Sequence, residues 1–320
     1  MERFVFFGGK GGVGKTSISA AYAHKCARAG TETLLVSTDP AHSTADVFDQ
    51  AFDDTPTPVD GYDSLEVLEI DPEQEVTEHL METKRALGDQ VSASVVNEID
   101  RQIELSHQTP GAHEAALFDR FIDIMQESDH DRVVFDTSPT GGTLRLLSLP
   151  EYLGGWIDRL IEKREASIDL YERAAIGDRE PRRTALGDPI LARLQGRRER
   201  FEFARETLRE SAAFVLVANP DELSVRETAR ALDSLQDYEL QVAGLVVNRL
   251  TPEPEPEEDG RGARYLRQRV ETERERLREL ETSLDPPVLA TIETRVSEIK
   301  GSFLDDVAED LDVSTAVTSS

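Results

Sequence analysis

Apolar residues along this chain follow two periods. Short, mostly apolar runs bounded by Gly, Pro or acidic residues predict buried strands at 4–7, 32–38, 65–70, 132–135, 214–218, 242–247 and 288–292. Between them the spacing is helical. Residues 16–29 have helix composition and stop at Gly30. Helix-prone sequence covers 73–128, where Leu117, Phe118, Phe121, Ile122, Ile124 and Met125 make one stripe. It also covers 151–211, where Tyr152, Leu153, Trp156, Ile157, Leu160 and Ile161 make another. Both stripes read more readily as core than as an exposed groove. An acidic start at Asp221 and Glu222 opens a further helix, and 263–281 is an Arg/Glu-rich helix with a solvated face. The Pro/acid loop 251–260 excludes regular structure, and the polar tail after 312 is expected to fray.

Strands alternating with helices predict an α/β fold: a doubly wound, mostly parallel sheet covered on both faces, with an inserted α-helical subdomain. The expected organisation is one domain over 1–320. Its core is 1–71, 131–150 and 212–311, its helical subdomain 72–130 and 151–211, and its flexible tail 312–320.

The first strand runs into Gly9-Lys10-Gly11-Gly12-Val13-Gly14-Lys15-Thr16, and a helix follows. Strand, G-x-x-x-x-G-K-[ST], helix is the phosphate-binding loop in its required context. The glycines let the backbone wrap a phosphate, and the helix start adds its positive dipole end. Lys15 supplies a point charge for the β- and γ-phosphates, and the Thr16 hydroxyl can ligate Mg²⁺. Ser17 continues this binding segment into the helix. Asp39 and Asp136 each follow an apolar strand. A carboxylate at Asp136 can hold Mg²⁺ directly or through water. One at Asp39 can orient or deprotonate an attacking water, or reach the metal through it. The motifs fall after Phe7, Thr38, Phe135 and Val247, all at carboxyl ends of expected strands, which is where such sheets bind ligands.

The net charge of −28 disfavours nucleic-acid binding and anionic lipid, both of which need concentrated Lys/Arg. Acid spread along the chain, with six Lys against thirty Arg, reads as a surface suited to a high-salt cytoplasm. Two of those six lysines, Lys10 and Lys15, lie in the phosphate loop. Cys26 is the only cysteine, so no intrachain disulfide forms. Residues 1–8 run straight into the loop without a signal-peptide pattern, and no apolar run is long enough for a membrane span.

The pattern K-G-G-x-G-K-T resembles the deviant phosphate loop of the MinD, nitrogenase-iron-protein and arsenite-pump ATPases. Three further stretches narrow the resemblance: S-T-D-P-A-H-S at 37–43, D-T-S-P-T-G-G-T-L-R-L-L at 136–147, and V-V-N-R-L at 246–250. In this order they resemble the arsenite-pump and tail-anchored-protein targeting ATPase family, over nearly the whole chain. That resemblance implies a doubly wound sheet with a helical subdomain, Mg²⁺-dependent ATP hydrolysis, and action as a dimer or tandem pseudo-dimer. It makes Lys10 the lysine that reaches a partner subunit's nucleotide and Asp39 the switch I residue that activates water. It makes Asp136, with Thr137, Pro139, Thr140 and Gly141, the switch II segment, and Asn248 the adenine contact. It further implies a homodimer with a protein client or membrane-associated partner.

The chain also departs from the family. Gly142 stands where the family usually has His. The place of the zinc-binding C-x-x-C holds residues 254–262 without cysteine, so no zinc is expected. The arsenite-binding cysteines are missing. The reading favoured is a nucleotide-driven dimeric switch that carries apolar, tail-anchored-like segments. An energising subunit of an arsenite or anion pump is the alternative. A membrane-positioning switch ranks last, because 303–320 contains no Lys or Arg.

Overall fold

A computed structural model of the chain describes residues 2–38, 43–71, 73–78, 112–137, 155, 157–168, 188–295, 303–311, 313 and 314. The strands are β1 (Phe4–Gly9), β2 (Thr33–Ser37), β3 (Thr57–Pro58), β4 (Leu65–Glu69), β5 (Arg132–Asp136), β6 (Ala212–Ala218), β7 (Val242–Leu250) and β8 (Val288–Glu293). The helices are α1 (Lys15–Arg28), α2 (Ser43–Phe48), α3 (Ala112–Glu127), α4 (Pro189–Glu210), α5 (Glu222–Asp237), α6 (Arg261–Ser283) and α7 (Phe303–Asp310). Further helical stretches lie at 73–78 and 157–168.

The eight strands form one sheet in the order β3-β4-β2-β5-β1-β6-β7-β8. Every pair is parallel except β3 with β4. The expected α/β class with a mostly parallel sheet is therefore what the chain forms. β3 was not foreseen. It is two residues long, contains Pro58, and sits at the edge, where a proline costs no ladder bond.

β1 is buried along its whole length, as a central parallel strand must be. Phe4 and Phe6 enter one core layer, while Val5 and Phe7 enter the other. In the first layer Phe6 stacks on Phe135 at 4.4 Å and on Phe214 at 5.0 Å. Phe118, Phe121 and Ile122 of α3, Phe201 and Leu208 of α4, and Leu232 and Leu235 of α5 cover these rings. The 117–125 stripe is thus core. Helices α3 and α4, within the ranges 72–130 and 151–211, turn their apolar faces to this layer. The second layer joins α1, Val47 of α2, and Leu304 and Val307 of α7. Among the described residues no helix is long and apolar enough to cross a membrane.

Candidate functional site

The site starts where β1 ends. Gly9 has φ +152°, and a Cβ there would lie 2.3 Å from the carbonyl oxygen of Val217 on β6. Only glycine lets β1 run this close to its neighbour and then turn. The loop closes at Gly14, which precedes α1 with φ 93° and no side-chain cap. The first turn of α1 carries no acidic residue. A helix start without acidic residues, with its positive dipole end, suits an anion.

Two lysines serve this loop. Lys15 is buried and folds back to donate from Nζ to the Lys10 carbonyl at 3.2 Å. Lys10 leans the other way, its Nζ 3.9 Å from Oε2 of Glu227 on α5. That pair is about one-third exposed on each side, 33% and 37%, so it restrains Lys10 only weakly.

Asp136 ends β5 between the ends of β1 and β2, in register with Phe7 and Ser37. It is 1% exposed. The Thr137 hydroxyl donates to the Phe7 carbonyl at 2.8 Å, which ties the segment after Asp136 to β1. The Thr38 N–H donates to the Asp136 carbonyl at 3.2 Å, which ties the end of β2 to the same point. Asp39, Pro139, Thr140, Gly141 and Gly142 lie outside the described residues.

Asn248 reaches the loop from β7. The β7–β8 register shifts between Val247 and Leu250, and Arg249 has φ 62°, so a bulge re-aims the Asn248 side chain. Its Nδ2 donates to the Val13 carbonyl at 2.7 Å, and its Oδ1 accepts from the Arg249 N–H at 2.9 Å. The residue is buried. A Cβ on Gly14 would sit 2.4 Å from that same Nδ2. Asn248 and Gly14 therefore form a fitted pair that holds the loop. These two bonds use one N–H and one lone pair of the amide.

The fold thus brings Lys10, Lys15, Thr16, Asp136 and Asn248 to one end of the sheet, around residues 9–16. Thr16 and Asp136 offer hard oxygen donors, the set a Mg²⁺ ion takes. No group of three or more His, Cys, Asp or Glu placed to hold a metal occurs among the described residues. Cys26, on α1, is buried.

The sequence reading passed over two acidic residues of the site. Glu227 is the partner of Lys10. Glu69, at the end of β4, is buried and accepts the Ala45 N–H at 3.2 Å. Its signal was available: Glu69 alternates in phase with Leu65 and Val67, so the strand pattern points it inward. An open pocket of about 720 Å³ lies between the start of α5 and α6. Asn219, Glu222, Arg249, Tyr265, Arg269 and Arg276 are among its walls.

A glycine-lined phosphate loop opening a helix, with a buried carboxylate on the neighbouring parallel strand, defines a P-loop nucleotide hydrolase. A family model described as anion-transporting ATPase matches residues 2–312. The chain belongs to this family, and its enzymatic class is ATP hydrolase. It is 34% identical over 266 residues to the arsenical pump-driving ATPase of Escherichia coli, a match spanning 81% of this chain and 41% of that protein. It is 32% identical over 253 residues to ATPase GET3A of Arabidopsis thaliana, spanning 78% and 67%. It is 34% identical over 281 residues to ATPase ARSA2 of Chlamydomonas reinhardtii, spanning 84% and 72%.

Proposed function

We propose that this ATPase is a Mg²⁺-dependent, homodimeric switch that carries apolar, tail-anchored-like segments of membrane proteins. The observation that carries the catalytic part is Asp136, buried in register between the ends of β1 and β2 beside the phosphate loop. The N–H groups of residues 9–17 bind the triphosphate, and Lys15 swings from the Lys10 carbonyl onto its β- and γ-oxygens. Thr16 and Asp136 would hold Mg²⁺, which supplies charge neutralisation on those oxygens. Asp39 orients a water in line with the γ-phosphorus and takes its proton as the β,γ-bridge bond breaks. Asn248 turns its remaining N–H and lone pair to the adenine edge.

The dimer is supported by surface chemistry. The exposed large hydrophobic residues among those described, Leu223, Tyr265 and Leu266, lie on α5 and α6. Glu227, which holds Lys10, is on α5 as well. A second copy packed there would cover apolar surface and let Lys10 leave Glu227 for the partner's nucleotide. Hydrolysis then releases 39–42 and the segment after Asp136, and the helical insert resets. The compartment that suits this surface is a high-salt cytoplasm.

Coupling to an anion pump is the second reading, supported by relatives named arsenical pump-driving ATPases. The lone buried Cys26 stands against it, because a soft oxyanion needs several thiolates. The deciding experiment is to trap Asp39→Asn with ATP in native-like salt and identify what co-purifies. Tail-anchored membrane proteins support the targeting reading, and a soluble partner alone rejects it. Stimulation of the wild-type ATPase by arsenite would favour the pump.

A further inference from the structure

The pocket between α5 and α6 measures about 720 Å³, and none of residues 9–17 is among its walls. Small-molecule sites commonly fall at about 300–1,000 Å³. Bonds within the protein set its shape. At the α5 end the Ser224 hydroxyl accepts the Asn219 N–H at 2.9 Å, and Asp221 accepts the Ser224 N–H at 2.9 Å. At the α6 end Glu273 is 4% exposed. It accepts the Thr251 N–H at 2.7 Å, the Thr251 hydroxyl at 2.8 Å and the Arg269 Nε–H at 2.8 Å. Preformed walls spare a ligand the cost of ordering them.

Most charge in these walls is already engaged. Besides Asp221 and Glu273, Glu222 pairs with Arg226 at 2.6 Å and lies 3.9 Å from Arg276. Arg276 also pairs with Glu279 at 2.8 Å. Three polar side chains differ. Among the described residues the Arg249 guanidinium and the Gln268 amide have no hydrogen bond or ion pair, and Asn219 Oδ1 has no partner. Arg249 is held on the wall by its backbone. Its φ of 62° is a conformation that a residue with a side chain adopts only where its surroundings impose it. The bulge that gives Asn248 to the phosphate loop leaves Arg249 to the pocket. The ring of Tyr265, 63% exposed, borders the same space.

These groups share one ligand chemistry. A guanidinium fork takes a phosphate through two parallel bonds. An exposed aromatic ring stacks on a flat base. A primary amide sets a donor beside an acceptor, which matches the N6 and N7 edge of adenine. We propose that this pocket is a second site for an adenine nucleotide, separate from the phosphate loop. Arg249 binds its phosphate, Tyr265 stacks on its base, and the Asn219 and Gln268 amides bond the base edge. Tyr265 also belongs to the face on which a second copy is proposed to pack, so a copy seated in the pocket is the competing occupant.

AMP is the probe, because it lacks the β- and γ-phosphates that Lys15 serves. The full chain is saturated with Mg²⁺ and the β,γ-imido analogue of ATP, then titrated with AMP by calorimetry. One further AMP per chain is expected to bind. Arg249→Asn removes the guanidinium and keeps a residue that tolerates the left-handed backbone. Tyr265→Ala removes the ring. Each is expected to weaken AMP about tenfold or more. Affinity for the ATP analogue should stay within about twofold, which also shows that each variant is folded. Ribose 5-phosphate, without the base, is expected to bind about tenfold or more weakly than AMP. Absence of AMP binding to the filled protein overturns the proposal, and a dimer weakened by Tyr265→Ala would then assign the pocket to the second copy. Displacement of the analogue by AMP overturns it too, because the pocket would belong to the loop's own site. So does an AMP affinity unchanged in both variants, or ribose 5-phosphate binding as tightly as AMP.

Discussion

Replacing Gly14 by alanine tests how the phosphate loop is held. The new Cβ would lie 2.4 Å from Nδ2 of Asn248, well inside contact distance. Gly14 also has φ 93°. An L side chain at such an angle costs roughly 1–2 kcal/mol. The clash has one easy outlet, displacement of the Asn248 amide, which breaks its 2.7 Å bond to the Val13 carbonyl. Leaving a buried group unpaired costs about 1–3 kcal/mol. Gly14→Ala should therefore cost roughly 2–5 kcal/mol in all. Against a typical total of about 5–15 kcal/mol, the variant still folds.

The assay is urea unfolding of the two single variants and the double variant. Asn248→Ala alone should lose the hydrogen bond, about 1–3 kcal/mol. In that background nothing stands in the path of the methyl group that Gly14→Ala adds, so the second change should cost only the backbone term. A coupling of about 1–3 kcal/mol between the two positions follows. Additivity within about 0.5 kcal/mol would refute the fitted pair. Binding supplies a second readout. Asn248→Ala should weaken inorganic tripolyphosphate as well as ATP, because its bond is to the loop. An effect confined to ATP would leave only the adenine contact.

Burial pushes the Glu75 carboxyl up from 4.5 to about 7, against the pull of Arg120 at 3.4 Å. A raised acid favours the folded state when protonated, so its stability contribution is full below about pH 4.5 and lost as pH rises through about 7. Glu75→Gln should flatten that fall in a series of urea midpoints. Burial lowers the pKa of His24, although Asp305 lies 2.8 Å from its Nε2 and pulls the other way. The neutral ring suits the folded state, so stability is present above about 6.5 and falls as the ring protonates below it. His24 joins α1 to α7 and Tyr62, so amide exchange in 303–310 should quicken first on acidification. Lys10→Ala should leave the melting temperature within about a degree of wild type, since an exposed pair like the one with Glu227 is worth little. Its kcat should nevertheless fall, and an unchanged kcat would remove Lys10 from the nucleotide site.

What the sequence made legible was local. The phosphate loop declares itself because strand, glycines, lysine and helix are contiguous, and Asp136 declares itself by following an apolar strand. Pairings across the chain left no such trace. Asn248 lies 235 residues from Val13, and nothing near either residue announces their bond. The stripe on α3 was readable as apolar, but the surface it meets, the rings of Phe6 and Phe135, was not. β3 escaped because two residues carry no period, and its existence depends on β4 beside it. Glu69 shows the opposite lapse. Its inward phase was written in the strand, yet an acid at a strand end reads first as a turn residue.

The central claim is that Asp39 activates water on a nucleotide held by residues 9–17 and Asp136. Single-turnover hydrolysis of Mg-ATP by Asp39→Asn, with binding measured alongside, tests it most directly. Affinity should stay within about threefold of wild type while the chemical step slows by about a hundredfold or more, the usual worth of a positioned general base. Bound ATP that turns over at the wild-type rate would contradict the account.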